Sequence, residues 1–149
     1  MTDEQSPSPD AGPAPYSSHG RAWAAAMAAF LIHSVEEVAL NLPAWVGAHP
    51  VLPWLGWMAP AGMFATVVGV LTAVVGGLAI YAMATAPRWS RRVLIVFAAV
   101  MLGNAASHIV LSAMTSSLMP GVATAGLVVV PVFAGVLWAV LRRAQPRAG

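Results

Sequence analysis

The sequence lacks cysteine entirely, which excludes disulfide bonds and metal sites built from thiolates. It also lacks lysine, and charged residues make up only 8% of its 149 residues. No charged side chain occurs in residues 38–87 or in residues 93–141. Because a membrane-spanning helix needs about 20 mostly apolar residues, each of these stretches holds two passes, or one pass and a loop. The composition therefore excludes an ordinary soluble core and predicts one compact membrane domain.

Prolines and polar turns divide the apolar sequence into segments of helical length. This all-α pattern predicts a four-helix transmembrane bundle. Pro43 is predicted to end the first helix, and Pro120 with Gly121 makes a tight connection before the fourth. Pro131 is predicted to bend the fourth helix, because proline has no amide hydrogen to continue the ladder of hydrogen bonds. The predicted helices are residues 20–41, 61–84, 93–118 and 122–142.

The segments outside these helices have distinct compositions. Residues 43–60 contain four prolines and three tryptophans, which predicts a short interfacial segment between the first two helices. Three tryptophans are expected there at the level of the lipid headgroups: Trp45, Trp54 and Trp57. Residues 1–18 are rich in proline, acids and small polar residues, and they predict a disordered N-terminal tail. The membrane domain is then residues 19–143, and residues 144–149 form a C-terminal tail.

The arginines predict the orientation of the bundle. All seven lie in three segments, namely the start of the first helix, the turn at residues 85–92 and the C-terminal end, which four passes place on one side. The positive-inside rule then predicts a multi-pass protein of the cell membrane with both termini in the cytoplasm. Three tryptophans beside these arginines are predicted to form an aromatic belt on that side: Trp23, Trp89 and Trp138.

The basic pI predicts membrane lipids as partners, since arginines at a bilayer surface attract anionic headgroups. No basic stripe interleaved with aromatic residues is present, so no nucleic acid is expected as a partner. A lipid-like or small hydrophobic substrate is expected instead, and the sequence is compatible with an oligomer.

Ionisable residues inside the first predicted helix are the strongest functional signal in the chain. His33, Glu36 and Glu37 lie within a stretch that otherwise suits hydrocarbon. A charged side chain near the centre of a bilayer costs roughly 2.5 to 3.5 kcal/mol even on the lenient insertion scale. These three residues are therefore candidate functional residues.

The first and third helices carry polar residues at matching depths. With about 1.5 Å of rise per residue, counted from Arg21 and Arg92, His33 and Asn104 both lie about 18 Å into the membrane. On the same count, Glu37 and His108 both lie about 24 Å in. Because the two helices run parallel, we expect these side chains to meet in one pocket toward the outer leaflet.

The residue types in this pocket are those of a catalytic metal site. His33 and Glu37 are four residues apart on one helix face, and His108 supplies a third ligand. Two histidines and one carboxylate with an open position are typical of catalytic zinc, the divalent metal we favour here. Glu36, rotated away from the ligands, is predicted to act as general base. Asn104 is predicted to stabilise an oxyanion or to orient a ligand. His49 is a candidate fourth ligand or lid residue.

Three function classes remain open. The first is a metal-dependent membrane enzyme, a hydrolase acting on a lipid-like or membrane-delivered substrate. The second is a metal-free isomerase or cyclase of an isoprenoid-like lipid, in which Glu36 or Glu37 stays protonated and donates its proton. The third is non-enzymatic: a proton or metal conduit, or a packing module whose polar side chains hold helices together.

Two motifs resemble those of a known family. The segment from His33 to Glu37 has the pattern His-x-x-Glu-Glu, and the segment from Asn104 to His108 has the pattern Asn-x-x-x-His. Both resemble the HXXEE family of small integral membrane proteins over roughly residues 22–142. The resemblance implies a bacterial membrane protein whose motif residues look like an active site. It implies no particular reaction, so the prediction of an enzyme rests on the chemistry of the residues.

Overall fold

The structure, a computed structural model, describes residues 18–49, 56 and 60–142. Within these residues the chain is all-helical and contains no strand. Four of the helices are long and apolar enough to cross a membrane, which indicates a multi-pass membrane protein and confirms the predicted fold class. The five helices are α1 (Ser18–Ala39), α2 (Leu42–Ala48), α3 (Ala61–Thr85), α4 (Ser90–Thr115) and α5 (Val122–Arg142).

The predictions for the two tails concern residues that mostly lie outside the described part of the chain. Residues 1–17 and 143–149 are outside it, and so are Trp54 and Trp57. Helix α1 begins at Ser18, the first residue described, and the domain boundaries stay a prediction.

Helix α1 lies at the centre of the bundle and packs against both α3 and α5, while α4 packs mainly against α5. The alanines of α1 at the core, Ala26 and Ala29, allow this close approach because a small side chain lets helix backbones come together. Trp23 is fully buried and stacks on Phe97 of α4 with ring centroids 6.4 Å apart. The prediction that Trp23 belongs to an aromatic belt is therefore wrong, because its ring fills the space between helices.

The arginine-rich end of the bundle is held by polar contacts between helices. The ring of His19 is hydrogen bonded to the hydroxyl of Ser90 at 2.7 Å. Arg91 donates to the carbonyl of Val140 near the end of α5 at 2.9 Å. The guanidinium of Arg142 lies 3.7 Å from the ring centroid of Trp138. The first two contacts join α1, α4 and α5 on the side predicted to face the cytoplasm, and the third lies within α5.

Helix α1 ends earlier than expected, at Ala39, and Pro43 does not terminate it. Asn41 adopts a left-handed conformation with φ 55°, and its side-chain oxygen accepts a hydrogen bond from the amide of Ala44. Pro43 lies in the first turn of α2, where a missing amide hydrogen costs nothing. Part of the predicted interfacial segment is thus a short helix, and Trp45 anchors it by donating to Ser117 at 3.1 Å.

Helix α5 contains a π-helical turn over Ala125–Val129, immediately before Pro131. In a regular α-helix the ring of Pro131 would clash with the carbonyl four residues earlier, and proline has no amide hydrogen to donate to that carbonyl. A wider π turn accommodates both effects. The irregularity that Pro131 predicts is therefore present, although it lies one turn earlier than expected.

Candidate metal centre

The polar residues of α1 and α4 meet in the interior of the bundle. His33, Glu37 and His108 are 1%, 8% and 1% exposed. Asn104 donates from Nδ2 to Nε2 of His33 at 2.8 Å, and His108 donates from Nε2 to Oε1 of Glu37 at 3.0 Å. These are the two pairs that the sequence places at equal depth. Their contact shows that α1 and α4 run parallel with the expected register.

Three of these side chains present ligand atoms to a common point. One atom from each of His33, Glu37 and His108 lies within 4.8 Å of the other two. Oε1 of Glu37 is 3.5 Å from Nε2 of His33 and 3.0 Å from Nε2 of His108. A tetrahedral zinc ion with bonds of about 2.0–2.1 Å would hold its ligands about 3.3 Å apart. The two spacings from Glu37 are close to this value and the third pair lies within 4.8 Å, so the three residues could hold a single ion.

A chain of hydrogen bonds orients His33 from the side opposite the ligand atom. Its Nδ1 lies 2.8 Å from the hydroxyl of Thr124, and that hydroxyl donates to the carbonyl of Gly121 at 3.3 Å. Because the threonine hydrogen is used in this way, the hydroxyl accepts from Nδ1–H of His33. The lone pair of His33 is therefore on Nε2, which faces Glu37 and His108. Metal-binding histidines are held in the same way in known sites.

His108 differs from His33 in having one nitrogen without a partner. Its Nδ1 is buried and makes no hydrogen bond within the described part of the chain. The ring lies edge-on to that of His33, with centroids 4.9 Å apart. Leaving a buried polar atom unpaired costs about 1–3 kcal/mol, and a bound ion or water is one way in which such a cost is offset.

Glu36 faces away from this group and contacts the beginning of α5. Its Oε2 accepts a hydrogen bond from the amide of Thr124 at 2.8 Å, and the amides of Gly121 and Ala123 face the same carboxylate. The first amides of a helix have no partner within the helix and carry partial positive charge. Glu36 therefore caps α5. Its predicted role as general base stays a prediction.

Gly121 and Thr124 are the site residues that sequence reasoning missed. Gly121 has φ 96°, and a Cβ atom on it would lie 2.6 Å from Cε1 of His108 and 3.0 Å from Cε1 of His33. Its lack of a side chain thus allows both imidazoles to pack against the turn before α5. The sequence signal was the pair Pro120–Gly121, which we interpreted only as a tight connection.

His49 lies apart from the ligand group. Its Nδ1 donates to the carbonyl of Trp45 at 2.9 Å, and its ring stacks on that of Trp45 at 4.5 Å. Among the described residues, the group suited to hold a metal contains His33, Glu37 and His108 and does not include His49. The contacts of His49 are therefore with Trp45 of α2, at the end of that helix.

Over the described residues, the fold and the site define an all-helical protein with four candidate membrane spans and a buried His–Glu–His group. A family model described as "Protein of unknown function with HXXEE motif" matches residues 23–136. This is more than half of the chain, which therefore belongs to this family. The matched span includes every residue of the site. No curated protein and no solved structure matches the chain.

Proposed function

We propose that this protein is a metal-dependent hydrolase of the cell membrane, in which His33, Glu37 and His108 hold a zinc ion. The observation that carries the proposal is the convergence of their three ligand atoms within 4.8 Å in a buried site. Two imidazoles and a carboxylate leave a fourth position for water or substrate. Purified protein is expected to contain one zinc ion per chain. Protein that stays metal-free in zinc-containing buffer would refute the proposal.

The metal would supply a bound hydroxide near neutral pH and would polarise a carbonyl oxygen. Water at such a site would add to the acyl carbon of an ester or amide, and the bond from that carbon to the leaving oxygen or nitrogen would break. Glu36, as the proposed general base, would take up the proton that the water loses and pass it to the leaving group. Asn104 lies beside His33 and would donate from its amide to the negative oxygen of the intermediate.

The proposed topology places both termini in the cytoplasm and the site toward the outer leaflet. Three observations support it. The arginines of the described residues lie at one end of the bundle, and Trp89 and Trp138 are exposed at that end. The His–Glu–His group lies farther along the helices, away from that end. A substrate would then reach the site from the membrane lipids.

Glu36→Gln tests the proposed general base. The glutamine oxygen can still accept the hydrogen bond from the amide of Thr124, but the side chain cannot take up a proton. We expect unchanged zinc content and a loss of about 10²–10⁴-fold in the rate of hydrolysis of p-nitrophenyl palmitate. Native activity in this variant would leave Glu36 with its capping role alone.

Thr124→Val tests the orientation of His33. Valine keeps the backbone amide that contacts Glu36 but removes the acceptor for Nδ1–H of His33. We expect the affinity for zinc to fall about 10- to 100-fold, as is typical when the partner of a ligand histidine is lost. Competition with a chelator measures the change, and Thr124→Ser should retain native affinity. Equal affinities in the valine and serine variants would rule out this role.

The hydrogen bonds of the site also favour a second candidate function. The amide of Asn104 donates to the lone pair on Nε2 of His33, and Glu37 accepts from Nε2 of His108. These two hydrogen bonds form without a metal ion. A carboxylate between two imidazoles can exchange protons with a substrate, as a metal-free isomerase or cyclase requires. The same measurement of metal content separates the two functions.

A further inference from the structure

A cavity of about 420 Å³ lies between α1, α3 and α4 and reaches the candidate metal centre. Among the described residues, its polar lining is one cluster, formed by His33, Ser34, Glu37 and Asn104. Its other walls are apolar, with valines of α3 and α4 and the rings of Phe30, Phe64 and Phe97. The volume is within the range of about 300–1,000 Å³ that is usual for small-molecule sites.

The cavity opens toward the side of the bundle. Leu71 of α3 and Val96 and Val100 of α4 line it and are 48%, 62% and 61% exposed. Helix α3 packs chiefly against α1, so α3 and α4 face each other across the cavity. In a membrane this opening faces lipid tails. A ligand would therefore enter sideways from the bilayer.

The shape and lining favour a hydrocarbon chain with an uncharged reactive group. The cavity-lining part of α4, from Val93 to Asn104, rises about 16 Å along the helix axis. No arginine of the described residues lines the cavity, and the chain has no lysine, so a prenyl diphosphate would find no counter-charge among these residues. An ester or amide carbonyl needs no counter-charge, and it can interact with the amide of Asn104 at the polar end.

We propose that this cavity binds a single acyl chain, with its ester or amide carbonyl beside His33, Glu37 and Asn104 and its tail between α3 and α4. This inference rests on the proposed hydrolase, because it assigns the substrate class of the same site. It makes the protein an acyl hydrolase that takes its substrate from the membrane.

Photolabelling of the full chain in lipid nanodiscs tests this proposal. The probe is the methyl ester of palmitic acid with a diazirine on its chain, and mass spectrometry locates the label. We expect labelling of cavity-lining residues of α3 and α4, and loss of that labelling in Val67→Trp, because Val67 lines the cavity and a tryptophan would fill it. The matched control is Val70→Trp on the same helix, since Val70 is exposed and does not line the cavity.

Competition on the native protein gives a second measure that does not depend on the folding of a variant. Excess methyl palmitate should abolish labelling of the cavity, whereas farnesyl diphosphate should not. Label spread evenly over the lipid-facing helices, or stronger competition by farnesyl diphosphate, would overturn the acyl-chain proposal. Zinc content measured on the same samples separates the two proposals. Zinc without cavity labelling refutes the acyl site alone, and cavity labelling without zinc refutes the metal-dependent hydrolase.

Discussion

Alanine in place of His33, Glu37 or His108 is expected to remove bound zinc from the purified protein. Each change takes away one of three ligand atoms that lie within 4.8 Å of one another, and two remaining ligands cannot hold the ion through purification. The loss of affinity should exceed the roughly 10- to 100-fold change caused by altering a residue that only orients a ligand. Elemental analysis of protein purified in parallel measures this effect.

His49→Ala is the matched control for the two histidine variants. His49 lies on Trp45 in α2 and is not part of the ligand group, so this variant should keep native zinc content. Full zinc occupancy in all three ligand variants would refute the proposed metal site. Equal loss in His49→Ala would show that the zinc is bound elsewhere.

Gly121→Ala is expected to have the second largest effect, on both stability and zinc binding. Gly121 has φ 96°, a conformation that costs a residue with a side chain about 1–3 kcal/mol. The added Cβ would also lie 2.6 Å from the ring of His108 and 3.0 Å from that of His33. Because both rings must move, the variant should unfold at a lower temperature and lose zinc. Thermal denaturation in detergent, followed by circular dichroism, measures the stability.

Gly135→Ala, within α5, is the control for this change. Apart from the adjacent backbone of α5, no described atom lies within 4 Å of a Cβ placed at Gly135, and alanine stabilises a helix interior by about 0.5–1 kcal/mol relative to glycine. This variant should be as stable as the native protein or slightly more stable. Native stability and zinc content in Gly121→Ala would contradict the packing of the two imidazoles against the turn.

The motif His-x-x-Glu-Glu has a simple structural explanation. His33 and Glu37 are one helical turn apart, so both face His108 on α4. Glu36 is rotated from them and faces the amides at the start of α5. One turn of α1 thus supplies two side chains to the site and one to the helix that carries Thr124. The motif couples the site to the position of α5.

Depth was predictable from the sequence because the rise of an α-helix is nearly constant. Counting from Arg21 and Arg92 placed His33 level with Asn104, and the structure has these two side chains in contact. The four long helices were predictable because a long uncharged stretch in a membrane must satisfy its own backbone hydrogen bonds, as an α-helix does.

Contacts made by turns were not predictable in this way. The turn at Gly121 follows no helical period, so its packing against two imidazoles depends on the tertiary structure, and so does the hydrogen bond that His33 donates to Thr124. Trp23 shows a related limit. Its position beside Arg21 is typical of a membrane interface, yet its ring is buried against Phe97. Proximity to arginines along the sequence does not determine which way a side chain faces.

The zinc K-edge X-ray absorption spectrum of the purified protein tests the central claim most directly, because it reports the atoms around the ion. We expect scattering from two imidazoles and one carboxylate oxygen, with zinc–ligand distances of about 2.0–2.1 Å. His108→Ala should remove one of the two imidazoles from any zinc that remains. A spectrum with oxygen ligands alone, or protein that binds no zinc, would contradict a metal centre at His33, Glu37 and His108.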